Sequence, residues 1–223
     1  MKIYNRSFNW FLYPYILFVV AGALVIAFTA KGDIVMLINK YSTPSLDSFF
    51  LFVTNIGLGS FVAITGALFL FYKIRWGLFT LINLLWVGIF TNLLKRVLFP
   101  NLPRPFHHFY YDDFHRFIYD APLIYYSSFP SGHTVAIFGF CSVLAYLLKN
   151  KALSFTFFIL AFLVGMSRIY LLQHFFIDVY AGSVLGVISL IISAWIIDKK
   201  LSKYKNGFLD KGLVYFVRKK NQE

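Results

Sequence analysis

Charged side chains are scarce in this chain of 223 residues. They make up 13% of it, against about 25% in an average soluble domain. Hydrophobic residues make up 59% and aromatic residues 21%. A chain with so little polar surface cannot cover a water-soluble globule, and the same figures exclude an intrinsically disordered chain. The composition predicts an integral membrane protein, and the length predicts one domain over residues 1–223.

Cysteine and acidic residues are also few. The single cysteine, Cys141, excludes an internal disulfide, and its apolar neighbours indicate a small buried side chain. The chain has 9 acidic residues against 21 lysines and arginines, which gives a net charge of +12. Basic cytoplasmic loops and attraction to anionic lipids account for such an excess. We therefore expect membrane lipids as partners, not nucleic acid, and the basic tail over 199–223 is typical of a lipid anchor.

Apolar stretches follow one another along most of the chain. A helix needs about 20 apolar residues to cross the roughly 30 Å hydrocarbon core of a bilayer. Six stretches approach or reach that length, which predicts an all-α protein with six transmembrane helices. They are Trp10–Ala30, Phe49–Tyr72, Gly77–Leu94, Thr134–Leu148 (extended if its first turn includes Ser131–His133), Leu153–Leu172 and Phe175–Ile197.

The positions of lysine and arginine predict the orientation. With six spans both termini lie on one side of the membrane, and that side carries most of the basic residues. The positive-inside rule then places both termini on the cytoplasmic side of a plasma (inner) membrane. The segments 32–48 and 100–130 become loops on the periplasmic or external side. The aromatic residues of the longer loop favour a membrane-interface belt over a mobile lid.

Ionisable residues at the membrane edge are costly and indicate a function. The predicted topology brings three groups of them to the external side. Lys95, Arg96 and Arg104 follow the third span, Pro130-Ser131-Gly132-His133 opens the fourth, and Ser167-Arg168 precedes His174 and Asp178 between the fifth and sixth.

The chemistry of these groups suits a phosphate. Arginine matches phosphate oxygens with a planar fork of donors. The N–H groups of a helix that begins at Ser131 and Gly132 form an anion site. His174 and Asp178 lie four residues apart, so a helix places them on one face. The carboxylate then holds one imidazole nitrogen, the other is free as a nucleophile, and His133 is placed to act as general acid.

Two other interpretations of these residues remain open at this point. His174 and Asp178 also suit a purely structural hydrogen bond. Histidine and aspartate are zinc ligands as well, but a third ligand at a recognised spacing is missing and neighbouring arginines repel a cation. We expect no metal and no other cofactor.

The motifs resemble those of the type 2 phosphatidic acid phosphatase (PAP2) superfamily. Ser167-Arg168, His174 and Asp178 match S-R-x5-H-x3-D, and residues 130–133 match P-S-G-H. The third motif, K-x6-R-P, fits less well, because Val97 stands seven residues before Arg104. The resemblance implies His174 as nucleophile, Asp178 as its orienting partner and His133 as acid, in a metal-independent reaction. It further implies a phosphate site of Arg104, Ser131, Gly132 and Arg168, completed by Lys95 or Arg96.

The resulting prediction is a bacterial-type membrane phosphatase that hydrolyses a lipid phosphate or diphosphate on the external side through a phosphohistidine. Undecaprenyl diphosphate, phosphatidylglycerophosphate, phosphatidic acid and phosphorylated lipid A are substrates that the resemblance implies. A lipid phosphotransferase would share the phosphohistidine. A non-enzymatic anion or lipid transporter is the alternative of another class, although such proteins usually carry ionisable residues near mid-membrane. The superfamily's soluble haloperoxidases do not fit six spans.

Overall fold

The computed structural model describes residues 6–109, 113–118, 120–122, 124–201 and 207–220. In these ranges the chain forms helices and no β-strand. Two π-helical segments, Leu93–Leu98 and Ile196–Lys200, continue α5 and α9, and a 3-10 turn covers Phe208–Asp210. The α-helices are α1 Asn9–Phe28, α2 Asp33–Lys40, α3 Pro44–Asn55, α4 Gly59–Tyr72, α5 Ile74–Asn92, α6 Pro105–His108, α7 Gly132–Leu148, α8 Lys151–Tyr170, α9 Phe176–Trp195 and α10 Leu213–Lys220.

Several of these helices are long and apolar enough to cross a membrane. In the described part of the chain, four qualify individually: Asn9–Phe28, Ile74–Leu98, Lys151–Tyr170 and Phe176–Lys199. Helices α3 and α4 qualify together, which raises the number to five, and α7 is a shorter apolar helix of 17 residues. The predicted class, an all-helical protein with apolar helices of membrane-spanning length, is confirmed.

The predicted second span, Phe49–Tyr72, is not one continuous helix. It is divided into α3 and α4, which meet at an angle of 47°. Gly57 lies at the break, where a Cβ atom would stand 2.6 Å from Cγ1 of Val164 and 3.1 Å from Cβ of His133. Only glycine permits this approach, so the break packs the chain closely against His133.

The predicted loop over 32–48 also contains helical structure. The amphipathic helix α2 occupies most of it, and α3 begins at Pro44 with the side chain of Thr43 as its N-cap. Pro44 lies in the first turn, where a missing N–H costs nothing. Helix α2 has only 8 residues, too few to cross a bilayer, so this helical structure still lies between the predicted spans.

Helix α7 forms the centre of the helix bundle. Every residue from Thr134 to Ala145 is buried, and α7 packs against α5, α8 and α9. A Cβ atom on Gly186 of α9 would lie 2.7 Å from the carbonyl oxygen of Val135, so the two backbones touch. Small residues at helix crossings allow this packing in membranes. A Cβ atom on Gly182, nearer the start of α9, would lie 3.0 Å from the carbonyl oxygen of Ser131, so the starts of α7 and α9 lie side by side.

The end of the bundle opposite to these helix starts has its own polar cluster. Asp198 pairs with Arg75 and accepts a hydrogen bond from the hydroxyl of Tyr146. The N–H of Ile74 also bonds the carbonyl of Lys211 at 3.0 Å. The predicted basic tail thus packs at the start of α5, although its residues 202–206 and 221–223 lie outside the described ranges.

Candidate active site

His174 and Asp178 lie where α8 turns into α9. The N–H groups of Gln173 and His174 both donate to the carbonyl of Arg168 at 3.0 Å, which closes the turn after α8. Oδ2 of Asp178 lies 3.3 Å from Nδ1 of His174 and accepts the N–H of Phe175 at 3.0 Å. Asp178 therefore caps the start of α9 and faces the imidazole with the same oxygen.

The start of α7 lies directly beside this pair. The N–H of Ser131 donates to the carbonyl of Asp178 at 3.1 Å. The side chain of Ser131 caps α7 by accepting bonds from the N–H and the hydroxyl of Thr134. Gly132 and His133 belong to the first turn, where the N–H groups of a helix have no internal acceptor. Free N–H groups at the positive end of a helix are suited to bind an anion.

Arg168 and Arg104 approach the two histidines from other elements. Nη1 of Arg168 donates to Oγ1 of Thr54 on α3 at 2.6 Å. Its Nε is buried, and none of the described residues accepts a hydrogen bond from it. Arg104, ahead of α6, donates Nε to the carbonyl of Tyr126 at 2.9 Å and Nη1 to Oε1 of Gln173 at 3.0 Å. Both guanidinium groups are thus held in place by the protein, with donors remaining for a ligand.

Lys95 and Arg96 were equivalent in the sequence, but the structure separates them. Lys95 is partly buried, and its Nζ donates to the carbonyl of Ser127 at 2.8 Å. Arg96 is exposed. Both belong to the π-helical segment Leu93–Leu98, which accommodates one extra residue relative to an α-helical turn. This wider turn takes up part of the longer spacing before Arg104.

The electrostatics of the site keep His174 uncharged. Burial lowers the pKa of His174 well below that of ordinary imidazole, and the charges of Arg104, Arg168 and Lys95 together with His133 lower it further. Burial also lowers the pKa of Arg104, to about 10, so this guanidinium remains charged at neutral pH. A neutral imidazole among fixed cations is the form that a nucleophile requires.

Three buried polar residues of the site were missed by the sequence analysis. Thr54 holds Arg168, Gln173 holds Arg104, and Ser128 donates its hydroxyl hydrogen to Oδ2 of Asp178. Thr54 lies in a stretch read as one apolar span, Gln173 occupies an unspecified position of the S-R-x5-H-x3-D motif, and Ser128 lies two residues before the P-S-G-H motif. A polar residue directly beside a motif was the available signal, since burial of such a group requires a partner.

The loop histidines do not form a metal site with their described neighbours. Among the residues that the structure describes, no three His, Cys, Asp or Glu side chains group closely enough to hold an ion. The loop sequence offers His107, His108, His115, Asp112 and Asp113 as possible ligands, of which Asp112 is outside the described ranges. His107 instead hydrogen-bonds the hydroxyl of Tyr126 at 2.9 Å, and His108 packs edge-on against Phe175.

Comparisons with known proteins show the family to which the chain is similar. The sequence profile of the PAP2 superfamily matches residues 75–202. Phosphatidylglycerophosphatase B of Bacillus subtilis (strain 168) is 32% identical over 177 residues, which cover 73% of this chain and 80% of that protein. The crystal structure of Aquifex aeolicus LpxE superimposes with a TM-score of 0.63 at 30% identity, covering 74% of this chain and 95% of the other.

A further relative matches over a shorter region. The "Bacitracin transport permease protein BcrC" of Bacillus licheniformis is 39% identical over 69 residues, or 31% of this chain, and the match spans about a third (33%) of that relative's length. The predicted resemblance and the predicted phosphoric ester hydrolase are confirmed by the comparisons as a whole. The profile covers more than half of the sequence, and the chain therefore belongs to the PAP2 superfamily of membrane phosphatases.

Proposed function

We propose that this protein hydrolyses a lipid phosphate ester or diphosphate through a phosphohistidine formed on His174. The observation that carries the proposal is the buried Nε of Arg168, a charged donor without an acceptor among the described residues, beside a neutral buried His174. A buried charged donor is costly unless a partner arrives. A phosphate group satisfies it and brings phosphorus next to the imidazole.

Each step of the proposed reaction has a side chain to carry it. Nε2 of His174 attacks phosphorus while Asp178 holds Nδ1–H, an N–P bond forms, and the P–O bond to the leaving group breaks. His133 donates a proton to the leaving oxygen. Water then attacks phosphorus and gives its proton to His133, the N–P bond breaks with its electron pair returning to Nε2 of His174, and inorganic phosphate is released. The phosphate oxygens are held throughout by three cations, one hydroxyl and two backbone N–H groups. These are Lys95, Arg104, Arg168, the hydroxyl of Ser131 and the N–H groups of Gly132 and His133.

The substrate we propose is a lipid, because the site adjoins apolar surface. A cavity of about 220 Å³ lies between the end of α1, the start of α2 and the start of α9. Ile26, Val35 and Ile177 are among its lining residues, and Nζ of Lys31 lies 4.5 Å from the ring centre of Phe175 at the same place. Phosphatidylglycerophosphate is the first candidate, since a phosphatidylglycerophosphatase matches most of the chain.

A phosphate-release assay on the purified full chain tests the proposed function. We expect inorganic phosphate to be released from at least one of phosphatidylglycerophosphate, phosphatidic acid, undecaprenyl diphosphate and lipid A phosphate, and a chelator to leave the rate unchanged. Product analysis distinguishes hydrolysis from transfer to a lipid acceptor. Release that stops with chelator and returns with a divalent ion contradicts the mechanism, and no release from any of them favours the transporter.

We also propose six spans in one domain, with both termini cytoplasmic and the site facing the periplasm or cell exterior. The spans are α1, the bent pair α3–α4, α5, α7, α8 and α9. An impermeant thiol reagent applied to intact cells tests the orientation, after Cys141→Ala removes the native thiol. Asp120→Cys, at an exposed loop position on the proposed external side, is expected to react. Lys151→Cys, at the start of α8 on the proposed cytoplasmic side, is not expected to react. The reverse labelling contradicts the proposed orientation.

The choice between Lys95 and Arg96 gives a matched pair of variants. We propose that Lys95 contacts the phosphate, and we expect Lys95→Met to lower kcat/KM by about 10- to 150-fold, because a hydrogen bond to a charged group contributes about 1.5–3 kcal/mol. Arg96→Met removes a positive charge from the next residue, which is exposed. This variant is expected to change kcat/KM less than about twofold. Equal losses in the two variants contradict the assignment.

A further inference from the structure

Ser128 contacts the proposed catalytic pair through a single oxygen atom. Its hydroxyl donates to Oδ2 of Asp178, the oxygen that also accepts the N–H of Phe175 and lies 3.3 Å from Nδ1 of His174. Ser128 is only 2% exposed. Two hydrogen-bond donors and Nδ1 of His174 therefore converge on one carboxylate oxygen. The hydroxyl of Ser128 comes from a different part of the chain, and the other two groups come from the turn before α9.

The backbone around Ser128 is held firmly against the segment that carries Arg104. The N–H of Ser128 donates to the carbonyl of Leu102 at 3.1 Å, and the N–H of Arg104 donates to the carbonyl of Tyr125 at 2.8 Å. Ser127, between Tyr125 and Ser128 in the chain, has a φ of 58°, in the left-handed region that a serine seldom adopts. A strained residue beside a site indicates that the surrounding contacts impose its conformation.

The same short segment also contacts the cations. The carbonyl of Ser127 accepts hydrogen bonds from Nζ of Lys95 at 2.8 Å and from Nη2 of Arg104 at 3.5 Å. Consecutive residues thus hold the proposed phosphate-binding cations through a carbonyl and the carboxylate of Asp178 through a hydroxyl. The position of Ser128 is set by the phosphate-binding side of the site, while its hydrogen bond acts on the histidine side.

We propose that Ser128 is a positioning residue that acts on His174 through Asp178. The inference rests on the proposed function, in which the imidazole becomes positively charged as the N–P bond forms. Asp178 must then stay ionised and keep Oδ2 directed at Nδ1. A donated hydrogen bond favours the ionised carboxylate, and it fixes the side-chain rotation that the bond from Phe175 alone leaves less constrained. Ser128 itself touches neither phosphate nor the reacting nitrogen.

A double-mutant cycle between Ser128→Ala and Asp178→Asn, on the full chain, tests this inference. We expect Ser128→Ala to lower kcat by about 10- to 150-fold, the range for a hydrogen bond to a charged group. Inhibition by inorganic phosphate is expected to stay within about twofold of wild type, because the cations are unchanged. In the Asp178→Asn background the serine substitution is expected to change kcat less than about threefold, since its partner charge is gone.

The matched control is Ser142→Ala, which removes a buried serine hydroxyl from α7 that donates to the carbonyl of Gly139. This variant is expected to keep wild-type kcat. Ser128→Ala with wild-type kcat, or losses that multiply independently in the double variant, overturns the inference. If the wild-type protein releases phosphate, either of these results leaves the proposed function intact. A wild-type protein that releases no phosphate refutes the proposed function itself.

Discussion

We expect His174→Ala to abolish phosphate release and covalent labelling together. The buried imidazole is the nucleophile in the proposed reaction, and removal of a nucleophile costs about 10⁴-fold or more in other enzymes that use one. Wild-type protein mixed with ³²P-labelled lipid phosphate and rapidly quenched is expected to carry an acid-labile phosphate. The alanine variant is expected to carry none.

The nucleophile assignment needs a control for folding and one for histidine removal in general. His174→Asn fills more of the buried space than alanine does, and it is also expected to be inactive and unlabelled. His115→Ala removes an exposed histidine from the segment between α6 and α7 and is expected to keep wild-type turnover. Full activity in either His174 variant, or phosphate trapped on another residue, refutes the mechanism.

Asp178→Asn is expected to lower kcat by about 10³- to 10⁴-fold, close to the loss seen when the orienting carboxylate of a catalytic histidine is replaced by an amide. The amide retains an oxygen for the N–H of Phe175, so the cap of α9 survives. It lacks the charge that stabilises the imidazolium and permits the wrong tautomer of His174. Single-turnover measurements are expected to show slower phosphoenzyme formation.

The matched control is Asp120→Asn, the same substitution at an exposed loop position. It is expected to leave kcat unchanged. A loss of less than about tenfold in Asp178→Asn would mean that the imidazole is oriented by other groups, and it would remove the charge of Asp178 from the mechanism.

Much of the fold class followed from hydropathy alone. Apolar stretches of about 20 residues are recognisable because a helix in a bilayer must satisfy its backbone internally over a fixed thickness. The predicted stretches near α1, α8 and α9 differ from the observed helices by a few residues. The break at Gly57 could not be predicted, because it depends on Val164 and His133, which are distant in sequence and close in space.

The chemical identity of the site was also present in the sequence. His174 and Asp178 do lie together, but His174 belongs to the turn before α9 and not to a shared helix face as the spacing of four residues predicted. The serine before Gly132 is recognisable as an N-cap. These are local relations that backbone geometry determines within one turn of helix. Motif and spacing together therefore predicted a phosphate-handling site before any contact was known.

Only the tertiary structure decided which neighbours complete the site. It leaves Arg96 exposed while Lys95 contacts Ser127, brings Thr54 to Arg168, and places Ser128 on Asp178. Each of these depends on packing between segments far apart in the chain, where one residue of register changes which side chain is buried. Local sequence determines what a residue can do, and the packing of the helices determines which residues are close enough to do it.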